Sequence, residues 1–108
     1  AISEKNRVEF GENMTTSIEP GLYIEDSHGI RIENEAYVKK SFENEFGSFL
    51  EFESLTIVPI DTRPVKISML TSEEIDWLNA YNKKCYDLLS PYLEGDDLEY
   101  LKERCKEI

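Results

Sequence analysis

The hydrophobic positions in the first part of the chain follow the two-residue period of β-strands. Ile30-Arg31-Ile32-Glu33 alternates apolar and charged side chains, and turn-forming pairs such as Pro20-Gly21 separate the apolar stretches of residues 7–68. Strands are predicted at residues 14–18, 22–24, 30–33 and 36–38, with one or two more at 49–60. Pro59 and Pro64 indicate an edge or the end of the sheet. The pattern predicts a curved antiparallel sheet of four to six strands.

From Thr71 onward the apolar residues recur at helical intervals. Thr71 and Glu74 have the spacing of a capping box, and Ser90-Pro91 is a stop for the helix that follows. The predicted buried stripe of this helix, Ser72–Leu89, consists of Ile75, Leu78, Tyr81, Cys85 and either Leu88 or Leu89. A shorter helix follows, for which we expect Asp96 as the cap and Leu98, Leu101 and Cys105 as buried positions.

Together these elements predict an α+β architecture, in which one long and one short C-terminal helix back the sheet. Residues 1–68 are expected to form the sheet-rich part, and residues 69–108 a helical C-terminal extension of the same domain. A chain of 108 residues with 40% hydrophobic residues falls in the usual range of a single domain, in which one core forms without disulfides or structural metal.

Charge and composition narrow the class of protein. Acidic residues outnumber basic ones 23 to 12, which gives a net charge of −11, and no Lys/Arg cluster is present to bind phosphates. We therefore expect no nucleic-acid partner. No apolar run approaches the ~20 residues of a membrane span, and nothing resembles a signal peptide, so we expect a soluble cytoplasmic protein. Cys85 and Cys105 are expected to be reduced and packed among apolar neighbours, with a disulfide between them as the less favoured alternative.

The candidate chemistry lies in the two strands on either side of Asp26. If these strands form a hairpin about Asp26, Glu19 lies directly opposite Glu33, and the alternation places Arg31 on the same face. Two carboxylates ~5 Å apart at an effective dielectric near 20 repel each other by roughly 3 kcal/mol. A cation would relieve this repulsion, and hard oxygen ligands suit Mn²⁺, Mg²⁺ or Ca²⁺. Taken singly, however, Glu19 and Glu33 are more typical of solvated surface side chains.

The two segments that carry these carboxylates resemble motifs of a known family. Thr16-Ser17-Ile18-Glu19-Pro20-Gly21-Leu22-Tyr23 and Gly29-Ile30-Arg31-Ile32-Glu33-Asn34 are similar to the closing motifs of the pita-bread metallopeptidases. The resemblance implies that Glu19 and Glu33 are metal ligands, with Glu33 bridging two divalent ions, usually Mn²⁺. It also implies that Arg31 lies beside the metal site as a catalytic residue. Tyr23 could contact substrate or pack in the core.

The rest of the chain resembles one branch of that family, the Xaa-Pro aminopeptidases (aminopeptidases P). Residues 42–61 are similar to the segment that follows the last metal ligand, and Trp77-Leu78-Asn79-Ala80-Tyr81 resembles the C-terminal extension of the long, three-domain enzymes. The implied fold is the C-terminal part of a pita-bread domain. The implied substrates are peptides with proline in second position, and we expect a homo-oligomer, with a dimer favoured.

The metal site implied by the resemblance is incomplete in this sequence. The two Asp ligands, the His ligand and the other active-site histidines of the family lie upstream of the segment that residue 1 corresponds to. His28, the single histidine, is predicted at a hairpin tip and is not a ligand candidate. We therefore expect the isolated chain to be inactive and metal-free. Two alternatives are a non-catalytic pita-bread module that binds peptides or proteins, and a stand-alone interaction domain derived from the peptidase.

Overall fold

The computed structural model describes residues 5–108 and has the predicted α+β class. Residues 1–4, the start of the predicted sheet-rich part, lie outside the described residues. The described elements are the strands β1 (Thr15–Ile18), β2 (Gly21–Ile24), β3 (His28–Arg31), β4 (Asn34–Asn44) and β5 (Gly47–Ser54), and the helices α1 (Ser72–Leu89) and α2 (Gly95–Arg104). The number of strands is within the predicted range of four to six. The chain divides into two compact units, one ending at Thr56 and the other Ile57–Ile108.

The first unit is built on a long hairpin whose two arms pair in a single register. β2 pairs with β3 from Gly21↔Arg31 to Ile24↔His28, and β1 pairs with β4 from Thr15↔Tyr37 to Ile18↔Asn34. In every one of these pairs the two residue numbers add up to 52, as predicted for a hairpin centred on Asp26. Asp26 has a φ of 55°, the left-handed turn conformation that Asp tolerates better than most residues.

The hairpin ladder is interrupted between Ile18 and Gly21, so its arms form parts of two sheets. Pro20 has no N–H to donate to the opposite strand, and its carbonyl accepts a bond of 3.3 Å from the N–H of Ile32. β1, β4 and β5 form a three-stranded antiparallel sheet, and β2 and β3 form a two-stranded one. The interruption lies at the level of the candidate carboxylates.

β4 is longer than its local sequence pattern predicts, because it is the central strand of the three-stranded sheet. It pairs with β1 on one side and with β5 on the other, with an irregularity in register between Lys40 and Phe42. Among residues 5–56, the buried apolar residues are Ala36 and Val38, and both lie in β4. The turn to β5 ends at Gly47, which has a φ of 135°.

The predicted continuation of the sheet into residues 56–60 is wrong. In the second unit, the backbone of residues 58–60 is bound by side chains of α1 instead of by a neighbouring strand. The Asn82 side chain accepts a hydrogen bond from the N–H of Ile60 (2.9 Å) and donates one to its carbonyl (3.0 Å). The Tyr81 hydroxyl donates to the carbonyl of Val58 (3.0 Å).

α1 has the predicted bounds and the predicted capping box. The Thr71 hydroxyl accepts the N–H of Glu74 at 3.2 Å, while the Glu74 carboxylate accepts the N–H of Thr71 at 2.8 Å. The buried side chains of the helix are Leu78, Tyr81, Asn82 and Cys85. Of the two leucines predicted as alternatives for the end of the buried stripe, Leu89 is half-buried, whereas Leu88 is 45% exposed.

α2 buries Leu101, as predicted, but the expected Asp96 cap is wrong. Gly95, with a φ of 57°, already belongs to the helix, so the N-cap is Glu94, whose side chain makes no capping bond. Asp96 therefore lies in the first turn, where a carboxylate interacts favourably with the helix dipole. Cys85 is buried and Cys105 half-buried, and both are free thiols. None of the helices within residues 5–108 has the length and apolar character needed to cross a bilayer.

Candidate metal centre

The candidate site lies where the hairpin ladder is interrupted. The last pair of the β1–β4 ladder is Ile18↔Asn34, and the first pair of the β2–β3 ladder is Gly21↔Arg31. Glu19 and Glu33 lie between these two pairs, directly opposite each other on the two arms of the hairpin. The register predicted from the sequence therefore brings both residues to one point in the hairpin.

Arg31 contacts both carboxylates. Its Nη1 lies 3.6 Å from Oε2 of Glu19, and its Nη2 lies 3.1 Å from Oε2 of Glu33. All three side chains are a little under half exposed. The pKa of the Arg31 guanidinium is raised, first by hydrogen bonding to the Tyr23 side chain and then by the negative charge of Glu33. One positive charge thus compensates two negative ones that would otherwise repel each other.

Tyr23 is the site residue that the sequence left undecided. It pairs with Gly29 across the hairpin, and its side chain is 65% exposed, so it does not pack in the core of this unit. The same alternation that placed Arg31 with the two carboxylates places Tyr23 on that face. Residue parity was therefore the feature of the sequence that could have assigned Tyr23 to the site.

The surroundings of the carboxylates are polar. The Ser17 hydroxyl donates to Oε1 of Glu19 at 3.0 Å. His28 is exposed at the start of β3, where its Nδ1 lies 2.9 Å from the hydroxyl of Ser27. By the alternation of side chains, His28 belongs to the face opposite Arg31.

The donor set fits part of a metal centre. Two carboxylates present hard oxygen atoms of the kind that Mn²⁺ and Mg²⁺ prefer, and the single Arg31 charge only half balances them. Within the described residues, however, no group of three or more His, Cys, Asp or Glu side chains is placed to hold an ion. Further ligands would have to come from outside residues 5–108.

Two family models match the chain. The model for the C-terminal region of peptidase M24 covers residues 48–108, and the model for metallopeptidase family M24 covers residues 1–40. The chain belongs to metallopeptidase family M24. In this M24 chain, Glu19 and Glu33 fall within the stretch matched by the peptidase model, and both helices fall within the stretch matched by the C-terminal model.

Curated relatives of the M24 chain are Xaa-Pro aminopeptidases. It is 40% identical over 94 residues to aminopeptidase P1 of Arabidopsis thaliana, and this match covers 83% of the chain and 14% of the relative. It is 42% identical over 112 residues to a probable Xaa-Pro aminopeptidase P of Fusarium vanettenii, covering 94% of the chain and 18% of the relative. The M24 chain thus spans less than a fifth of the length of these relatives.

A solved structure gives the same relationship in three dimensions. The X-prolyl aminopeptidase of Caenorhabditis elegans, described as a cytosolic enzyme with a di-nuclear active site, superimposes with a TM-score of 0.83 at 37% identity. The match covers 99% of the M24 chain and 18% of the worm enzyme. The resemblance to the C-terminal part of an Xaa-Pro aminopeptidase, and the pita-bread fold it implies, are confirmed.

Proposed function

We propose that this chain is the C-terminal part of a dinuclear-metal aminopeptidase that removes the N-terminal residue from peptides with proline in second position. The observation that carries the proposal is the pair Glu19 and Glu33, joined through Arg31 at the interruption of the hairpin. The family membership and the Xaa-Pro aminopeptidase relatives support the same reaction.

In this proposal Glu19 and Glu33 are ligands of two divalent ions, with Mn²⁺ as the metal. Such ions lower the pKa of a bound water toward neutrality and polarise the carbonyl of the scissile peptide bond. The remaining ligands, two Asp and one His, belong to the part of the enzyme that this chain does not contain. Two carboxylates alone are too few for such ions, so the isolated chain is expected to be metal-free and inactive.

The role proposed for Arg31 is to hold the two carboxylates in place. Its guanidinium reaches both at 3.6 and 3.1 Å, so one side chain limits the rotation of two ligands. Because the fork of an arginine presents several donors in a fixed plane, it can contact both groups at once, and a lysine cannot reproduce this geometry. Arg31 would thus keep the ligand pair ordered before metal binds.

The substrates, assembly and location of the enzyme follow from the same proposal. Substrates are peptides of the Xaa-Pro type, and the full-length enzyme is proposed to be a homodimer in the cytosol. The description of the C. elegans relative as cytosolic supports the location.

The test is Glu33→Gln in the full-length enzyme, which keeps the size of the side chain and removes its charge. We expect the metal content, measured by elemental analysis, to fall, and the hydrolysis of an Xaa-Pro peptide in the presence of Mn²⁺ to be abolished. Glu25→Gln is the matched control, since Glu25 lies at the exposed hairpin tip, and it should behave as wild type.

Near-normal turnover by Glu33→Gln would contradict the ligand assignment. Wild-type full-length protein that binds such peptides without cleaving them would instead favour the non-catalytic binding module.

A further inference from the structure

The glycines of the chain fall into groups with different physical requirements. Gly47 and Gly95 have φ angles of 135° and 57°, where other residues are strained. Gly11 has an ordinary backbone, and a Cβ added there would meet only Sδ of Met14 at 3.7 Å. Gly21 and Gly29 also have ordinary backbone angles, but an added Cβ at either would collide with another side chain.

Both collisions are with the Tyr23 ring. A Cβ on Gly29 would lie 2.6 Å from Cδ1 and 3.0 Å from Cε1 of Tyr23, and a Cβ on Gly21 would lie 2.7 Å from its hydroxyl oxygen. Carbon atoms in contact are normally about 3.5–4.0 Å apart, so the ring would have to move. Two glycines, one on each arm of the hairpin, therefore leave space for one aromatic side chain.

The position of the ring matters because of what lies at its end. Tyr23 is level with Gly29, and its side chain extends over Gly21, which pairs with Arg31. The hydroxyl end of the ring therefore lies at the level of the Gly21↔Arg31 pair, and the Arg31 side chain is the one that contacts Glu19 and Glu33.

We infer that Gly21 and Gly29 form a glycine floor that positions Tyr23 against Arg31, and through Arg31 orients the two carboxylates. The glycines are positioning residues, since they touch neither metal nor substrate. The inference rests on the proposed function for its effect on catalysis. A side chain at Gly29 would lift the base of the ring, and one at Gly21 would displace its hydroxyl.

The test is Gly29→Ala in the full-length enzyme, with Gly11→Ala as the matched control. Residues that orient metal ligands typically affect activity 10- to 100-fold when mutated, so we expect kcat for an Xaa-Pro peptide to fall about tenfold or more, with KM little changed. Gly11→Ala should leave both constants unchanged, because its new methyl group makes only an ordinary contact.

A double-mutant cycle with Tyr23→Ala separates positioning from a general effect on the fold. If Gly29→Ala acts through the ring, it should cause no further loss once the ring is absent, so the double variant should match Tyr23→Ala. Independent, multiplicative losses would overturn the inference, as would wild-type kcat in Gly29→Ala. If Gly29→Ala does not fold, Gly21→Ala takes its place in the same cycle, since it displaces only the end of the ring.

Failure of the proposed function would be visible separately. If the wild-type full-length enzyme did not cleave Xaa-Pro peptides, a crystal structure of the same variant would still decide the positioning claim. We expect the Tyr23 ring to be displaced from its place over Gly21 and Gly29. A ring that stays in place beside the new methyl group would overturn the inference.

Discussion

The second unit contains a buried amide, the side chain of Asn82. Among the described residues it is the one buried polar side chain, 1% exposed. It replaces a strand partner for Ile60, accepting from its N–H at 2.9 Å and donating to its carbonyl at 3.0 Å. Truncation by Asn82→Ala would leave both backbone groups of Ile60 without this partner, at a position that is half-buried.

The cost of this truncation follows from the number of groups left unpaired. A buried donor or acceptor that loses its partner costs about 1–3 kcal/mol, so two such groups predict a loss of about 2–6 kcal/mol. Part of the range depends on how far the backbone at Ile60, which is half-buried, can turn toward water. A loss of this size is a large fraction of the stability of a small domain.

Asn79 offers a matched control one helical turn earlier. It makes the same pair of bonds, accepting from the N–H of Ile108 at 3.0 Å and donating to its carbonyl at 3.3 Å. The side chain of Asn79 is half-buried, however, whereas that of Asn82 is buried. Water can reach this half-buried amide and replace the lost bonds, so Asn79→Ala should cost about 0.5–1.5 kcal/mol, the net contribution of a typical hydrogen bond.

Both variants are measured by urea unfolding of the 108-residue chain, followed by the far-ultraviolet circular dichroism of its helices. We expect the midpoint to fall clearly further for Asn82→Ala than for Asn79→Ala at an unchanged slope. An equal loss in the two variants, or a loss below about 1 kcal/mol for Asn82→Ala, would refute the reasoning that burial makes this amide essential.

Three further predictions concern the helix cap, acid sensitivity and association. Thr71→Ala should destabilise the chain by about 1 kcal/mol in urea unfolding, whereas Thr71→Ser, which keeps the capping oxygen, should cost little. Arg63 holds the pKa of Asp61 well below its ordinary value, so this carboxylate stabilises the fold above about pH 4 and its contribution is lost as the pH falls further. Asp61→Asn should therefore be less stable than wild type at pH 7, and the difference should shrink on acidification; an unchanged difference would contradict this. The isolated chain should self-associate in sedimentation velocity, because the first unit exposes apolar side chains such as Leu22, Phe42 and Phe46, and a strictly monomeric profile at high concentration would count against it.

Local rules explain the features that could be predicted from the sequence. The hairpin register about Asp26, the shared level of Glu19 and Glu33 and the face of Arg31 all follow from the two-residue alternation of strands. The bounds of α1 and its capping box follow in the same way from helical spacing and from two residues three positions apart. Each of these features depends on residues that are close in sequence or related by one tight turn.

The features decided by tertiary structure depend on partners that are distant in sequence. β4 extends to Asn44 because β5 pairs with it that far, while residues 56–60 do not form a strand and the backbone of Ile60 is bound by Asn82, 22 positions later. Within the hairpin, parity assigns Tyr23 to the face of Arg31, but the space that its ring occupies above Gly21 and Gly29 is seen only in the folded structure. Periodicity states which face a side chain occupies, but backbone groups must find hydrogen-bond partners wherever the folded chain supplies them, and a ring lies where no atom excludes it.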